Sequence, residues 1–419
     1  MKRKFLLLAS TLLLMSSLTA CGGGNGGKSE EGGDGIEKGD YSVLVWVDTK
    51  IKAITESQLA AFKSTLPEGV NVTFEIKAVG EGTAAGNMLT DPEKGADIYG
   101  FAQDQLARLV AGNALSPISG QIRTEVEARN SADSVNAAKS GRAMYAFPLT
   151  DNGYFLYYDK SVISESQAGN VTSLLAACQA AGKTFSYAAD DAWYNAAYFF
   201  GAGCKSEWKT NASGKFTEYD DTYNSDEGLM AAKGIKELVL HAAYAPGSEA
   251  GTALGSGSAA VVSGTWDYNA AKEKLGDNFA AIELPSFTVD GVTKHLGSFN
   301  GYKLIGVKPQ ANASKAAICQ MAASYITNKD CQLARFEQNG WGPTNKEALE
   351  LDDIKNNEAL NALHNQANYA TPQGQYPSKW WNHAAAISSD IKLLGASSTD
   401  QQLRDILKAY ADGLEDFLG

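Results

Sequence analysis

The chain has little of what catalytic and metal sites are usually built from. Its four histidines stand far apart, and no Gly-x-Ser-x-Gly segment offers a serine nucleophile. The cysteines show no Cys-x-x-Cys spacing and have no histidine nearby to complete a zinc site. We therefore expect no catalytic triad, no metal and no cofactor. Carboxylate pairs such as Asp190 and Asp191 keep glycoside hydrolysis open as a minor alternative.

Nucleotide-binding motifs are also missing. The glycine-rich segment 251–258 lacks the Lys-Ser/Thr pair of a phosphate loop, and we interpret it as a flexible turn. The segment 80–86 follows a strand pattern, but its third glycine comes one residue late for a dinucleotide fingerprint and the next strand does not end in an acidic residue. It is interpreted as a plain strand-to-helix turn, with Glu81 as a candidate ligand contact.

Positive charge and long hydrophobic runs are scarce. The formal net charge is −12, which argues against nucleic acid or anionic lipid as the ligand, because both require basic patches. Beyond residue 20 there is no further long apolar run, so we expect a soluble protein. The remaining chain of roughly 400 residues is too long for a single core and predicts two domains.

The N-terminus has the pattern of an export signal. Lys2, Arg3 and Lys4 precede a short apolar run, and small residues stand before Cys21. Residues 1–20 are therefore predicted to be a signal peptide. The ending Leu18-Thr19-Ala20-Cys21 resembles the bacterial lipobox, which implies a lipid on Cys21 and anchoring at the extracellular face of the cell membrane. An ordinary secreted protein with an incidental cysteine is the alternative.

Residues 21–39 are dominated by glycine and small polar residues, which have too little apolar surface to offset the entropy lost on ordering. We predict a flexible tether between the lipid and the folded part. A glycine directly after Cys21 and a long tether resemble lipoproteins of Gram-positive bacteria.

Four further cysteines remain in the mature chain. Cys178, Cys204, Cys319 and Cys331 allow three pairings, and free thiols stay open as well. Pairing between neighbours in the sequence, Cys178 with Cys204 and Cys319 with Cys331, is the arrangement we expect if disulfides form.

Strand and helix patterns alternate along the chain, without a repeat of fixed period. Strands are predicted at 41–47, 70–76, 96–101, 143–148 and 153–158. Helices are predicted at 54–64, 84–89, 102–111, 172–181, 192–200, 225–240, 311–327, 330–338, 347–367 and 400–417. This alternation is typical of an α/β fold with parallel sheets, in which ligands bind beyond the carboxyl ends of the strands.

Several short segments resemble, in the same order, the maltose-binding branch of the extracellular solute-binding proteins, family 1. They are Leu44–Asp48 with Lys50, Gly95–Ile98, Phe101–Gln105, Leu115–Ile118, Ala146–Leu149, Leu156–Lys160, Gly264–Trp266, Leu284–Phe287 and Ser378–Trp381. The chain departs from the family pattern at Phe101, where tryptophan is usual, and at Gln105 and Asn152, where charged groups are common. These departures leave the exact sugar and its length open.

The resemblance implies a two-lobed, periplasmic-binding-protein-like fold of type II, in which a hinge joins two lobes that are each a mostly parallel sheet flanked by helices. The lobes are expected at 40–150 with 300–350, and at 151–299 with 351–419. It further implies a monomeric binding protein, not an enzyme, that captures malto-oligosaccharides and delivers them to the permease subunits of an ABC importer. A binder of another oligosaccharide, a glycoside hydrolase and a structural surface protein are the alternatives.

A sugar site needs flat aromatic platforms for the C–H faces of pyranose rings and polar groups for their hydroxyls. Large aromatic residues near predicted element ends or loops are the candidate platforms: Phe101, Trp193, Trp266, Trp380 and Trp381. The resemblance and the local sequence together supply the candidate polar contacts: Asp48, Lys50, Glu81, Asp104, Gln105, Asn152 and Asp191.

Overall fold

The computed structural model describes residues 35–211 and 214–418. The predicted signal peptide, Cys21 and the first part of the tether lie outside the described residues. The folded part begins a few residues earlier than the predicted end of the tether at residue 39. Ile36 packs against the first hydrophobic core, and the backbone N–H of Glu37 donates to Ser314 Oγ at 3.0 Å.

The strands are numbered in chain order. They are β1 (Gly39–Val47), β2 (Val70–Ala78), β3 (Ile98–Ala102), β4 (Lys139–Ser140), β5 (Ala143–Met144), β6 (Ala146–Asn152), β7 (Tyr154–Asp159), β8 (Thr184–Ser186), β9 (Ser206–Thr210), β10 (Phe216–Asp221), β11 (Tyr244–Ala245), β12 (Ser258–Gly264), β13 (Phe279–Ile282), β14 (Ser286–Val289), β15 (Val292–His295), β16 (Ser298–Val307) and β17 (Ala370–Pro372).

The α-helices are numbered in the same way. They are α1 (Lys52–Phe62), α2 (Glu81–Thr90), α3 (Leu106–Ala111), α4 (Gly120–Arg129), α5 (Ala132–Ala137), α6 (Glu165–Ala168), α7 (Val171–Ala180), α8 (Ala192–Ala202), α9 (Asp226–Leu240), α10 (Ala250–Gly255), α11 (Tyr268–Leu275), α12 (Ala313–Ile326), α13 (Lys329–Asn339), α14 (Lys346–Leu349), α15 (Asp352–Lys355), α16 (Glu358–Gln366), α17 (Ser378–Leu394) and α18 (Asp400–Asp412). Short 3-10 helices are Thr49–Ile51, Lys63–Thr65, Gln103–Gln105, Thr265–Asp267, Gly276–Asn278, Ala367–Tyr369 and Leu414–Phe417.

The first sheet has six strands in the order β17-β16-β3-β1-β2, with β6 also pairing with β16. Strand β1 runs parallel to β2 and β3, and buries Val43, Val45 and Val47 on alternate positions. Strand β16 returns late in the chain and lies antiparallel to both β3 and β6. The first sheet therefore combines a parallel core with antiparallel strands at the point where the chain crosses from one sheet to the other.

The second sheet has five strands in the order β11-β8-β12-β7-β13. Strands β11, β8 and β12 are parallel to one another, whereas β7 and β13 run antiparallel to their neighbours. The expected α/β fold is confirmed. Three of the five strand pairs in the first sheet are parallel, as are two of the four in the second.

Each sheet has its own hydrophobic core. One core gathers buried side chains of 43–149 and 304–341, and the other those of 154–299 and 376–414. A smaller cluster joins β7, β12 and β13 to α10, α11 and α16. Trp266 is half-buried and packs against both large cores. Each sheet is thus packed on a core of its own, and β16 contributes Phe299 to one core and Leu304 to the other.

The predicted strands and helices mostly lie within one to three residues of the observed ones. Three predictions are wrong. The segment 80–86 is not a plain turn, since α2 begins at Glu81. The single helix expected at 347–367 is divided into α14, α15 and α16. Each of the three helices begins after an N-cap residue of its own, which is Asn345, Leu351 or Asn357. The segment 251–258 is not a loop, since α10 occupies most of it.

The pairings considered for the cysteines do not form. Cys178, Cys204, Cys319 and Cys331 are all free and buried. Burial raises the pKa of each thiol, to about 11 for Cys178 and Cys331 and to about 12 for Cys204 and Cys319. Cys178, Cys204 and Cys319 act as small apolar side chains of the two cores, and Cys331 is buried in the first turn of α13.

None of the helices in the described ranges combines the length and the apolar character that a membrane crossing requires.

Candidate functional site

The parallel strands of the first sheet end in polar residues that face one cavity. Asp48 follows β1, Glu81 follows β2, and Asp104 and Gln105 follow β3. The carboxyl ends of parallel strands lie at the same edge of a sheet, which brings these side chains together. Asp48 also fixes the turn it starts, because Oδ1 accepts the backbone N–H of Lys50 at 2.8 Å.

The second sheet contributes in the same way. Asp191 lies beyond the end of β8, Glu249 beyond β11, and Trp266 beyond β12. Asp191 begins α8, where its Oδ1 accepts the backbone N–H of Trp193 at 2.8 Å. This cap orients the first turn of α8, which carries the Trp193 ring.

The remaining part of the site comes from β6 and β16, the crossing strands that link the two sheets, and from the chain that follows them. Asn152 is the last residue of β6, Lys303 lies in β16, and Gln373 directly follows β17. Trp381 lies in the first turn of α17. The resulting cavity has a volume of about 460 Å³. Its complete lining is Asp48, Lys50, Glu81, Gly82, Ala102, Asp104, Gln105, Asn152, Asp191, Trp193, Glu249, Trp266, Lys303, Gln373 and Trp381.

The structure brings all but two of the predicted site residues to this cavity. Phe101 is fully buried in the first core, because both faces of the central strand β3 are covered and the cavity begins one residue later, at Ala102. Trp380 is fully buried in the second core, and its Nε1 donates to Tyr410 Oη at 2.9 Å. Successive residues of a helix point about 100° apart, so Trp381 faces the cavity while Trp380 faces the core.

Three indole rings supply the apolar surface of the cavity. The rings of Trp193 and Trp266 lie 5.8 Å apart at an interplanar angle of 43°. The Trp266 ring lies across the backbone of Gly264. A Cβ added at Gly264 would clash with the ring at Trp266 Cζ3. Trp381 is half-buried, and its ring centroid lies 5.8 Å from that of Phe299. The aromatic surface is thus distributed over α8, the turn after β12, and α17.

Glu81 and Lys303 form a buried ion pair in the cavity wall. Lys303 Nζ lies 3.5 Å from Glu81 Oε2, with 12% and 5% of the two side chains exposed. Burial raises the pKa of Glu81, and the charge of Lys303 opposes that rise. The other oxygen of Glu81, Oε1, is buried and has no hydrogen-bond partner among the described residues.

A second ion pair closes one end of the site. Lys50 Nζ donates to Asp267 Oδ1 at 2.6 Å and to Glu249 Oε2 at 3.4 Å. Burial lowers the pKa of Lys50, but the hydrogen bond and charge of Asp267, with those of Glu249, outweigh it and leave the pKa above its ordinary value. Lys50 thus remains charged while it links the first sheet to the turn after β12.

Asp104 is a buried carboxyl group in the cavity wall. Burial raises its pKa from 3.8 to about 7, although the charge of Arg108 acts in the other direction. Its Oδ1 accepts a hydrogen bond from Gln373 Nε2 at 3.2 Å. The amide oxygens of Gln105 and Gln373 are buried without a partner in the described part of the chain. The floor of the cavity therefore offers several acceptors that are not used within the protein.

Sequence reasoning missed Lys303, Glu249 and Gln373. Lys303 lies in a strand that also contains Ser298, Asn300 and Gly301, so the lysine does not stand out in the sequence. The other two lie in polar segments that resemble ordinary surface loops. Their place in the cavity depends on how distant segments approach one another, which no local pattern encodes.

A second cavity of about 530 Å³ lies on the other face of the crossing strands. Asp151 and Tyr302 line it, whereas their neighbours Asn152 and Lys303 line the first cavity. This division follows from the alternation of side chains along a strand. Only the first cavity lies at the carboxyl ends of both sets of parallel strands. Residues 35–211 and 214–418 hold no group of three or more histidine, cysteine, aspartate or glutamate side chains that could bind a metal ion.

The sequence profile of the bacterial extracellular solute-binding proteins matches residues 58–362, most of the chain. The chain belongs to this family. The family suggested by the short segments is thereby confirmed, and its description gives this solute-binding protein an extracellular location. No curated protein sequence matches the chain at a significant level.

Solved structures with the same fold cover about nine-tenths of the chain. One determined with acarbose has a TM-score of 0.78, 24% sequence identity, and coverage of 90% of this chain and 100% of that one. The maltodextrin binding protein MalE1 from L. casei BL23, without ligand, has a TM-score of 0.75 and 24% sequence identity, with coverage of 90% of this chain and 99% of that one. The GacH receptor of Streptomyces glaucescens GLA.O has a TM-score of 0.74 and 18% sequence identity, with coverage of 91% of this chain and 100% of that one. These similarities establish a two-lobed fold for this solute-binding protein.

Proposed function

We propose that this solute-binding protein captures malto-oligosaccharides outside the cell and delivers them to an ABC importer. The observation that carries the proposal is the composition of the first cavity, where the indole rings of Trp193, Trp266 and Trp381 stand beside buried polar groups. A pyranose ring has apolar C–H faces and a rim of hydroxyls, so it needs both.

Buried polar atoms without a partner support a ligand rich in hydroxyls. Glu81 Oε1, Gln105 Oε1 and Gln373 Oε1 are acceptors of this kind, and Trp193 Nε1 is a donor, all without a partner among the described residues. Leaving such groups unpaired costs about 1–3 kcal/mol each. Sugar hydroxyls both donate and accept, so they match both kinds of group.

The choice of an α-glucan is supported by the solved structures of the same fold. Their names include a maltodextrin binding protein, a receptor studied with acarbose, and a maltotriose binding protein from Thermus thermophilus with maltotriose bound. The sequence identities of these proteins, 24%, 18% and 18%, leave the exact sugar to be measured.

Capture would occur by closure of two lobes, 40–150 with 300–350 and 151–299 with 351–419. The separate hydrophobic cores of the two sheets support these boundaries. A ligand that contacts both lobes favours the closed form by its differential affinity for that form. The closed form would then dock on the permease subunits.

The address is part of the proposal. Signal cleavage before Cys21 and a lipid on its sulfur would hold the protein at the outer face of the membrane, in a Gram-positive cell. Labelling of the full chain with radioactive palmitate tests this, with Cys21→Ser as the control. Label on the wild type alone supports the anchor, whereas equal labelling of both forms, or none, contradicts it.

Glycoside hydrolysis is the second candidate function, and one observation favours it. A hydrolase needs a protonated carboxylic acid beside an ionised one, and Asp104, with a pKa of about 7, shares the cavity with other carboxylates. We propose binding without cleavage, since Asp104 already accepts a hydrogen bond from Gln373 and lies at the buried floor of the site.

Calorimetric titration of the chain without residues 1–21 separates these functions. Maltotriose and maltohexaose are the test ligands, and xylo- and fructo-oligosaccharides are the controls. We expect saturable, micromolar binding of the α-glucans and full recovery of intact sugar after hours of incubation. Binding of a control sugar alone would overturn the ligand, release of shorter sugars would make the protein a hydrolase, and no binding at all would favour a structural role.

A further inference from the structure

The side chain of Lys303 lies between two indole rings. Its Nζ is 4.3 Å from the ring centroid of Trp341 and 5.1 Å from that of Trp266, and 3.5 Å from Glu81 Oε2. Ammonium groups within about 6 Å of a ring centroid are attracted to its face. Only 12% of the side chain is exposed, so these three groups take the place of water around the charge.

The groups around Lys303 come from different parts of the fold. Lys303 lies in β16 and Glu81 follows β2, both in the first sheet, and Trp341 is buried in the first core. Trp266 instead follows β12, which belongs to the second sheet. The ammonium therefore connects an aromatic platform of one sheet to a buried carboxylate and a buried ring of the other.

From the side of the first sheet, the Trp266 ring packs against the first core and lies beside the Lys303 ammonium. On its own side the ring rests over Gly264, which has no side chain to clash with it, and it lies 5.8 Å from Trp193. Another staggered rotamer of this half-buried side chain would take the ring away from the ammonium. A charge that is itself held by Glu81 restricts that choice.

We propose that Lys303 is a positioning residue that holds the Trp266 ring as a platform across the gap between the two sheets. The proposal rests on the function proposed above for its effect on sugar affinity, but its effect on the ring does not depend on that function. Lys303 can hold the Trp266 ring only when the two sheets are close together. The affinity for the ligand therefore depends on the distance between the two sheets.

The experiment compares Lys303→Met, which keeps the length of the side chain and removes its charge, with Lys303→Arg, which keeps the charge. Two quantities are measured: the affinity for maltotriose, and acrylamide quenching of the Trp266 emission. That emission is the difference between each protein and its Trp266→Phe counterpart. We expect Lys303→Met to weaken affinity about tenfold and to raise the quenching constant clearly, and Lys303→Arg to stay within about twofold of wild type in both.

Lys272→Met is the matched control. Lys272 Nζ also lies over aromatic rings, 5.8 Å from the centroid of Tyr268 and 5.0 Å from that of Phe279, but it does not line the cavity. We expect it to change neither quantity by more than about twofold. Equal quenching in Lys303→Met and wild type, or equal impairment of Lys303→Met and Lys303→Arg, would overturn the proposal.

Two further outcomes are also decisive. If the wild type does not bind maltotriose, the proposed function fails, while the quenching of Trp266 still tests the role of Lys303. If Lys303→Met does not fold, Glu81→Gln takes its place, because it removes the carboxylate that holds the ammonium. Higher quenching of Trp266 in Glu81→Gln than in wild type supports the proposal, and unchanged quenching contradicts it.

Discussion

Among single residues, the half-buried tryptophans of the cavity are the proposed platforms for the sugar. Trp266 and Trp381 line it from different elements, whereas Trp380 and Trp208 are buried in the second core. An aromatic ring that is covered by protein on both faces cannot stack on a ligand. Exposure of one face separates a platform from a core residue, and the sequence does not reveal it.

The Trp266→Ala, Trp381→Ala double variant tests the platforms. We expect each lost ring to weaken maltotriose binding about tenfold, because the apolar face of the sugar loses its partner. Trp208→Phe is the control, since Trp208 packs against Phe216 and Phe417 away from the cavity. Calorimetry measures the maltotriose affinity of the double variant and of the control. Affinity unchanged in the double variant would refute the assignment of the platforms.

Asp104 predicts a pH dependence of stability. Its pKa is raised to about 7, so between about pH 4 and pH 7 the folded protein holds a proton that the unfolded chain has released. Its contribution to the free energy of unfolding is therefore lost as the pH rises through this window. From pH 5 to pH 8 the loss is roughly 2–3 kcal/mol.

Urea unfolding of wild type and Asp104→Asn at pH 5 and pH 8 measures this effect. The variant cannot ionise at this position, so we expect it to gain stability relative to wild type as the pH rises. A difference between the two proteins that is the same at both pH values would contradict the raised pKa.

Most residues of the site were predicted from the sequence, but Lys303 and Gln373, which line the same cavity, were not. Asp48 and Asp104 were predicted because their positions match polar contacts of the resembled family, and Glu81 because it lies in the turn after a predicted strand. Lys303 and Gln373 were not found, because a lysine within a strand and a glutamine in a loop have no such local context. Their role arises from contacts between segments far apart in the chain.

At the scale of elements, the turn Thr265–Asp267 is hydrogen-bonded to several other elements of the site. Asp267 is 2% exposed and accepts hydrogen bonds from the backbone N–H of Ala250 and from Ser263 Oγ, both at 2.8 Å. It also accepts the 2.6 Å bond from Lys50 Nζ. One carboxylate thus joins β12, α10 and the turn after β1.

Asp267→Ala removes all three contacts. We expect a loss of about 2–4 kcal/mol in the free energy of unfolding, because the buried donors of Ala250 and Ser263 are left unpaired. Glu249→Ala is the matched control: the Glu249 side chain is 67% exposed and bonds the same lysine at 3.4 Å, so less than about 1 kcal/mol is expected. Denaturant unfolding that gives equal losses for the two variants would rule out this role for Asp267.

Helix α17 shows why some elements were not predicted. Trp380, Ala384, Ile387 and Ile391 are buried at helical spacing, a signal present in the sequence. The tryptophans drew the interpretation towards a loop that contacts ligand, and the polar residues between them hid the period. Polar helix α4 was missed for a related reason, since Val126 is its only buried residue.

At the scale of the whole molecule, the two sheets present the carboxyl ends of their parallel strands to the same cavity. Asp48, Glu81 and Asp104 come from one sheet, and Asp191 and Trp266 from the other. A ligand held from both sides can act as the link between two bodies that each have a core of their own.

Closure on the ligand is therefore expected in solution. Small-angle X-ray scattering should record a smaller radius of gyration when maltotriose is added to saturation, as rigid-body closure requires. The Trp266→Ala, Trp381→Ala variant should keep its ligand-free value at the same sugar concentration. A radius of gyration that does not change for the wild type at saturation would contradict closure by the hinge.

The central claim is that the first cavity holds the oligosaccharide, and a crystal structure with maltotriose tests it most directly. The account predicts density for pyranose rings against Trp266 and Trp381, with hydroxyls within hydrogen-bond distance of Glu81 and Gln373. Sugar bound only elsewhere, or an empty cavity in crystals grown at a saturating concentration, would contradict it.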